Sequence, residues 1–160
     1  MAANSADAND TPAALLRTLV EMFDPKQQSL IRSVRTALRK RFPTANELVY
    51  DYNTFFVIAY APTDRPTDAI VSFAARADGV RLYLMNGPRL PDPNKLLQGS
   101  GKQVRFVRVE TARQLAHPDI EALIAAAIDL ASVPLPSDGR GRLVIRTISP
   151  KRRPGRRPPK

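Results

Sequence analysis

The chain has 160 residues, enough for about one domain with a single buried core, and 43% of them are hydrophobic. It has no cysteine, which excludes disulfides, thiolate metal sites and cysteine nucleophiles. The net charge is +10, but residues 139–160 hold nine basic side chains and no acidic one, so the rest of the chain is nearly neutral. Any argument from charge to nucleic acid therefore depends mainly on this C-terminal segment.

The chain begins with a polar stretch and two predicted helices. We expect residues 1–11 to be disordered, because they are small and polar. Thr11-Pro12 and Asp24-Pro25 each combine an N-cap residue with proline at the first helical position. The helices that they start are predicted to end at about Phe23 and about Arg41.

The second helix carries a basic face beside its apolar one. Arg32, Arg35 and Arg39 recur there at helical spacing. A basic helix face is more often a solvated surface than a binding site, and we interpret this one in that way.

The middle of the chain alternates apolar and polar residues, the period of strands with one buried face. The third and fourth strands are predicted to form a hairpin across Asp78-Gly79. The aromatic residues between Tyr50 and Tyr60 are expected to fill the core under the sheet. The predicted strands are 47–52, 54–61, 69–77, 80–85 and 102–109.

The last predicted helix opens at His117-Pro118-Asp119 and runs to about Ala131, with His117 as a capping residue. Beyond it, the alternation at 142–149 is compatible with an extra edge strand. The sequence therefore predicts an α+β fold, in which an antiparallel five-stranded sheet packs against two N-terminal helices and one C-terminal helix. We assign this domain to residues 12–132 and treat residues 133–160 as an extension.

The loop at residues 86–101 is rich in Pro and Gly but contains Leu90, Leu96 and Leu97. These leucines predict a loop held against the body, with one helical turn at 93–97. Its Gly99-Ser100-Gly101-Lys102 is no phosphate loop, because Leu96 stands where the first glycine belongs and Gln103 where Ser or Thr belongs. The loop is a candidate surface for a small anion or a protein partner. Its candidate ligand-binding residues are Arg89, Asp92, Lys95, Gly99, Gly101, Lys102 and Arg105.

Catalytic and metal chemistry have no supporting pattern. His117 is the single histidine, so a multi-histidine metal site is excluded. The carboxylates are scattered, and no serine lies in a nucleophile-elbow context. We assign no catalytic residue, no metal ligand and no cofactor.

The C-terminal tail is the strongest charge signal. Its proline-interrupted Lys/Arg runs are predicted to be disordered, and such runs bind polyanions through phosphate contacts without sequence specificity. They are also common as solubilising tails without a partner. The candidate polyanion-binding residues are Lys151, Arg152, Arg153, Arg156, Arg157 and Lys160.

The loop, the basic strand after it and the helix after Pro118 together resemble the YdhG-like family, small bacterial domains of unknown function. The resemblance covers roughly residues 28–132 and implies an α+β domain with an antiparallel sheet packed on helices. Some members are described as frataxin-like iron chaperones. The residues that carry the resemblance are Gly87, Leu90, Asp92, Pro93, Leu96, Leu97, Gly99, Gly101, Lys102 and Arg105.

Three functions are therefore in view. The leading hypothesis is a non-enzymatic binding or adaptor domain that uses the 86–105 loop, with a tail that tethers it to nucleic acid or another polyanion. The alternative is a frataxin-like intracellular iron chaperone. A small-molecule enzyme that uses the loop is the least favoured, because no nucleophile or acid/base pair supports it. The N-terminus lacks a secretory signal pattern, and no apolar run approaches the roughly 18 residues of a membrane span, so we expect a cytoplasmic protein without a membrane partner.

Overall fold

The computed structural model describes residues 11–147, which form three α-helices and one six-stranded sheet. The helices are α1 (Pro12–Val20), α2 (Pro25–Arg41) and α3 (Pro118–Leu130). The strands are β1 (Asn46–Asp51), β2 (Phe56–Ala61), β3 (Val71–Arg76), β4 (Gly79–Met85), β5 (Val104–Val109) and β6 (Leu143–Thr147). The α+β prediction is confirmed. No helix in this part of the chain is long and apolar enough to cross a membrane.

The sheet has the order β5-β4-β3-β2-β1-β6. Neighbouring strands are antiparallel except β6, which pairs parallel to β1 at the edge. The extra edge strand is therefore present, and it makes the sheet six-stranded and mixed rather than five-stranded and antiparallel. The β3–β4 hairpin turns at Ala77-Asp78, one residue earlier than predicted, because Gly79 with φ 133° already pairs with Arg76.

Both predicted helix starts are confirmed at atomic detail. The Thr11 hydroxyl accepts a hydrogen bond from the Ala14 N–H at 3.1 Å, and the Asp24 carboxylate accepts one from the Gln27 N–H at 2.8 Å. Helix α1 ends at Val20, three residues before the predicted end. The N–H of Phe23 bonds to the Val20 carbonyl, an i to i−3 bond that tightens the last turn and leads directly to the Asp24 cap.

The main core lies between the helices and one face of the sheet. Side chains of α2 at Ile31, Val34 and Leu38 pack there against inward-facing residues of the strands. The aromatic prediction is correct only in part: Phe56 and Tyr60 are buried, whereas Tyr52 is 52% exposed and stacks on Phe55. Tyr52 is exposed because it and Phe55 flank the turn between β1 and β2.

Candidate functional site

A cavity of about 620 Å³ lies on the helical side of the sheet, between α1 and α2. We call it the basic cavity. Its remaining walls come from the start of β1 and from the segment that precedes β6. The larger apolar side chains at its base are buried, at most 5% exposed: Leu16, Val20, Ile31, Phe42 and Ile58. Ala13 and Pro43 are exposed apolar residues of its lining. The basic side chains are Arg17, Arg32, Arg35, Arg39, Lys40 and Arg140.

Helix α1 forms one wall of the cavity with a single face. Ala13, Leu16, Arg17 and Val20, at i, i+3, i+4 and i+7, all line it. Helix α1 also packs against the edge strand β6. The wall therefore depends on a strand from the other end of the chain.

Helix α2 forms the other wall, with the face next to its buried stripe. Arg32, Arg35 and Arg39 line the cavity on this face, so they form one wall of a concave site rather than a plain solvated surface.

A buried carboxylate, Glu47 of β1, organises one part of the cavity. Its side chain is 6% exposed and accepts two hydrogen bonds from the Arg35 guanidinium, at 3.0 and 2.8 Å. The Tyr60 hydroxyl donates to the same carboxylate at 2.8 Å, and Arg39 Nε lies 3.6 Å from it. A buried charge needs such partners, and this bidentate geometry provides them.

The same network shifts two pKa values. Burial alone would lower the pKa of Arg35, but the hydrogen bonds and charge of Glu47 outweigh burial and raise it. Burial, reinforced by the neighbouring Glu47 carboxylate, raises the pKa of Tyr60 well above its ordinary value of about 10. Arg35 is charged and Tyr60 neutral near pH 7 even at their ordinary pKa values, and the raised pKa values extend these states to more alkaline pH.

The other cations of the cavity have no such partner. Among residues 11–147, no ion pair joins Arg17, Arg32, Lys40 or Arg140 to an acidic side chain. Arg32 donates a hydrogen bond to the neutral side chain of Gln28. Among the described residues that line the cavity, Glu47 is the one acid and is already paired, so these residues together carry an excess of positive charge.

Close backbone packing places Arg140 at the cavity. The Gly141 N–H donates to the Pro43 carbonyl at 3.1 Å, and a Cβ on Gly141 would overlap the Ala45 carbonyl oxygen. The next residue, Arg142, is held by Asn46 and pairs with Asp64 at 2.9 Å. Arg140 and Arg142, which the sequence groups with the basic tail, thus belong to the folded part of the chain.

The loop at residues 86–101 is held to the body. Leu90 is buried, while Leu96 and Leu97 are half-buried and pack against the core. In place of the predicted helical turn at 93–97 there is a single turn, in which the Lys95 N–H donates to the Asp92 carbonyl at 3.1 Å. The Asp92 carboxylate then accepts the N–H groups of Leu96 and Leu97 at 2.8 and 2.9 Å, so no helix continues.

Two of the seven loop candidates support the loop's own structure. Asp92 is the cap just described, and Arg105 Nε donates to the Gly101 carbonyl at 2.8 Å. Gly99 has φ 101°, a conformation that favours glycine. The remaining cations, Arg89, Lys95 and Lys102, are exposed and have no ion pair within the range 11–147. Ligand binding by the loop stays a prediction.

His117 is a capping residue, as predicted. Its Nδ1 accepts the Asp119 N–H at 3.1 Å at the start of α3. Across the part of the chain that the structure describes, no three His, Asp or Glu side chains are grouped to hold a metal ion. The six tail candidates between 151 and 160 lie outside the described residues, so the tail hypothesis also stays a prediction.

Sequence reasoning missed three residues of the cavity: Arg17, Glu47 and Arg140. One signal could have revealed Glu47. Glu47, Val49 and Asp51 are alternate residues of β1 and therefore lie on the same, inward face of the strand. A carboxylate on an inward face needs a cationic partner. The arginines of α2 are the nearest basic cluster in the sequence. Arg17 and Arg140 have no comparable signal.

No protein-family model, no curated protein and no solved structure matches this chain. The resemblance to the YdhG-like family therefore stays a prediction, and the functional argument depends on the site itself.

Proposed function

We propose that this protein is a non-enzymatic binding domain that takes an anionic ligand with an apolar part in the basic cavity. The observation that supports this most directly is the composition of the cavity wall. Six basic side chains surround an apolar lining, and the one acid among them is already paired with Arg35.

The size and shape of the cavity agree with a binding role. Its volume of about 620 Å³ lies within the range of roughly 300–1,000 Å³ that is usual for ligand sites. Its exposed apolar residues, Ala13 and Pro43, can contact the apolar part of a ligand, and its cations that have no ion pair among residues 11–147 can meet a negative group with charge-assisted hydrogen bonds.

The proposal keeps the binding role expected from the sequence but moves its centre from the 86–105 loop to the cavity. In the loop, Asp92 and Arg105 are committed to internal hydrogen bonds. In the cavity, Arg17, Arg32 and Lys40 have no ion pair within residues 11–147 and are available to bind an anion. The cytoplasmic location and the tethering role of the tail remain part of the proposal.

The test uses 8-anilino-1-naphthalenesulfonate, a sulfonate with an apolar aromatic body, whose fluorescence rises when it leaves water. We expect saturable binding to the folded full chain. A tryptophan at position 13 should block the cavity, because Ala13 lines it from an exposed position on α1. We expect Ala13→Trp to weaken binding at least about tenfold, which corresponds to about 1.4 kcal/mol.

The matched control is Ala122→Trp, which places the same side chain at an exposed position of α3, outside the cavity. It should bind the probe as the parent chain does. Equal affinity of the two tryptophan variants would mean that the probe binds elsewhere, and the proposed function would then be wrong.

A further inference from the structure

The sheet has a second face, on the side away from the helices, which we call the outer face. Side chains alternate along each strand, so Val49, Ile58 and Phe73 point into the main core and their neighbours point outward. Within the described chain, the buried cluster on the outer face contains no helix residue. Apart from Ala74, the outward side chains of β3, β4 and β5 are half-buried or exposed. The outer face is thus accessible to a ligand.

An exposed aromatic ring stands at one end of the outer face. Tyr52 directly follows β1 and is 52% exposed, and Met22 is the one other exposed large hydrophobic residue among residues 11–147. The Tyr52 ring stacks on Phe55, with centroids 4.9 Å apart and an interplanar angle of 16°. Because Phe55 covers one side of the ring, an exposure of this size requires the other side to be open. A planar group of a ligand can therefore continue the stack.

Phe55 is the middle layer of this stack, and Arg76 is the layer below it. The Tyr52 N–H donates to the Phe55 carbonyl across the turn between β1 and β2, and the pairing of Phe56 with Ala75 places Phe55 next to Arg76. The Arg76 guanidinium lies 4.4 Å from the centroid of the Phe55 ring. Because β2 lies between β1 and β3, the two partners meet opposite sides of Phe55. Tyr52 is thus the free end of a supported stack.

A second aromatic pair lies on β4 and β5. Tyr83 and Phe106 are cross-strand partners, and their ring centroids are 5.4 Å apart. The Arg81 guanidinium lies 4.8 Å from the centroid of the Phe106 ring. A guanidinium plane, like an aromatic ring, can stack on a nucleic-acid base. The small side chains of Ser72 and Ala74, on β3, lie between the two aromatic pairs and keep that part of the face low.

The outer face also has an excess of positive charge. Arg76 and Arg81 share a single carboxylate, that of Asp78, at 3.9 and 3.4 Å. Arg108 is the cross-strand partner of Arg81 and donates a hydrogen bond to the Asp78 carbonyl. It has no ion pair within residues 11–147. These three guanidinium groups are therefore balanced by one carboxylate.

We propose that the outer face binds a single-stranded segment of RNA, with a base stacked on Tyr52 and phosphates bound by the three arginines. Proteins bind single strands through this combination of exposed rings and cations. Four strand spacings of about 4.8 Å separate β1 from β5, so a segment that reaches from Tyr52 to Arg108 spans roughly 19 Å. The inference is independent of the basic cavity, which lies on the helical side of the sheet.

Other polyanions suit the outer face less well, because they leave the exposed ring unused. A duplex keeps its bases stacked on each other, so no base face is free for Tyr52. An acidic peptide could pair with the arginines, but the negative face of an aromatic ring repels its carboxylates. RNA offers unpaired bases in loops, bulges and ends. The ring, and not the charge, therefore selects the ligand.

The test measures the binding of a labelled, unstructured oligoribonucleotide to the full chain by fluorescence anisotropy. Its length is about 12 nucleotides, within the site sizes of single-strand-binding folds. We expect Tyr52→Ala to weaken binding at least about fivefold, about 1 kcal/mol. Tyr52→Phe should bind as the parent does, because stacking needs the ring and not the hydroxyl. Neither variant changes the net charge, so binding by the basic C-terminal tail is the same in all three proteins.

A charge-matched pair of variants tests the arginines. Arg108→Gln removes one phosphate contact, so the slope of log affinity against log salt concentration should become shallower by about 0.7. The control Arg113→Gln makes the same change in net charge at an exposed position of the segment that packs against α2 and α3, and it should leave the slope unchanged. Circular dichroism verifies that all variants are folded. The same change of slope in both variants would contradict a phosphate contact at Arg108.

Two further oligonucleotides can overturn the inference. If a duplex of the same sequence binds as tightly as the single strand, charge alone drives binding and the outer face is not a single-strand site. If the single-stranded DNA of the same sequence binds at least about tenfold more tightly than the RNA, the ligand is DNA and the assignment to RNA is wrong.

The sulfonate probe separates this inference from the proposed function. RNA bound at the outer face should leave the probe in the basic cavity. If RNA displaces the probe and Tyr52→Ala has no effect on RNA affinity, RNA binds in the cavity, so the inference is wrong and the cavity remains a binding site. If the probe does not bind but the Tyr52 variants behave as expected, the proposed function fails and the inference stands.

Discussion

The basic cavity and the loop at residues 86–101 both place charged side chains next to apolar ones, but they use them differently. In the loop, Asp92 caps two backbone N–H groups and Arg105 bonds to the Gly101 carbonyl. In the cavity, Arg17, Lys40 and Arg140 have no acidic partner within the described range. Two charged residues of the loop region thus support its own shape, while Arg89, Lys95 and Lys102 there have no ion pair within residues 11–147, as is the case for these three cations of the cavity.

The comparison shows that some charged residues of a Gly- and Pro-rich loop serve the structure of the loop itself. Neighbouring residues in such a loop satisfy each other's hydrogen bonds, because the chain must fix an irregular backbone. All the basic residues of the cavity except Arg140 come from α1 and α2, whose backbone groups are satisfied within the helix. Of these, Arg17 and Lys40 have no ion pair among residues 11–147.

The largest expected effect is at the buried carboxylate of the cavity. Glu47→Ala leaves Arg35 without its ion pair and Tyr60 without its acceptor. We expect the free energy of unfolding to fall by about 3 kcal/mol, as when one partner of a buried pair is removed. Urea unfolding measures it. The control Glu121→Ala breaks the pair with Arg41, whose side chains are 36% and 43% exposed, and should cost less than about 1 kcal/mol.

The loop should matter for stability but not for binding. Leu90→Ala removes a side chain that is 6% exposed, and we expect it to cost about 2–3 kcal/mol of unfolding free energy. The affinity of the folded protein for the sulfonate probe should not change. A loss of affinity without a loss of stability would reverse the comparison and make the loop the binding site.

Gly141→Ala should affect both stability and binding. Its new methyl group overlaps the Ala45 carbonyl, so β6 and the adjoining Arg140 must shift. We expect a cost of about 2 kcal/mol, typical of overpacking, together with weaker binding of the sulfonate probe. Gly139→Ala is the control for the loss of a glycine near β6. A Cβ there meets nothing within 4 Å, so the variant introduces no clash. Its φ of 87° adds backbone strain only.

The smallest effect is the alkaline response of the Tyr60 network. The pKa of Tyr60 is raised in the fold, so above about pH 10 the unfolded chain releases a proton that the native state retains. This contribution to stability is complete below that pH and falls as pH rises, by at most about 1.4 kcal/mol per pH unit. The stability difference between the parent and Tyr60→Phe should therefore shrink from pH 9 to 11. A constant difference would contradict the shift.

Local signals made the helices and most strands predictable from the sequence. Thr11-Pro12 and Asp24-Pro25 determine helix starts through contacts within three residues, and the structure shows those contacts. The direction of β6 could not be predicted in this way, because alternation is the same in parallel and antiparallel strands. Its parallel pairing depends on β1, which is remote in the sequence.

The cavity was harder to predict for the same reason. The basic face of α2 was visible as Arg32, Arg35 and Arg39, but a helix face does not show whether another element stands opposite it. That information depends on the position of α1 against β6. Arg140 reaches the cavity only because Gly141 lets two backbone segments approach closely.

The parallel pairing of β6 with β1 also affects the order in which the contacts of the domain form. The contact of Arg142 with Asn46 spans 96 residues, and closing so long a stretch of chain is slow compared with forming a helix or a hairpin. During synthesis α1 emerges first and β6 last of the described elements, so the contact between them forms late. The position of Arg140, which adjoins β6 at the basic cavity, is therefore set after β1 to β5 have been made.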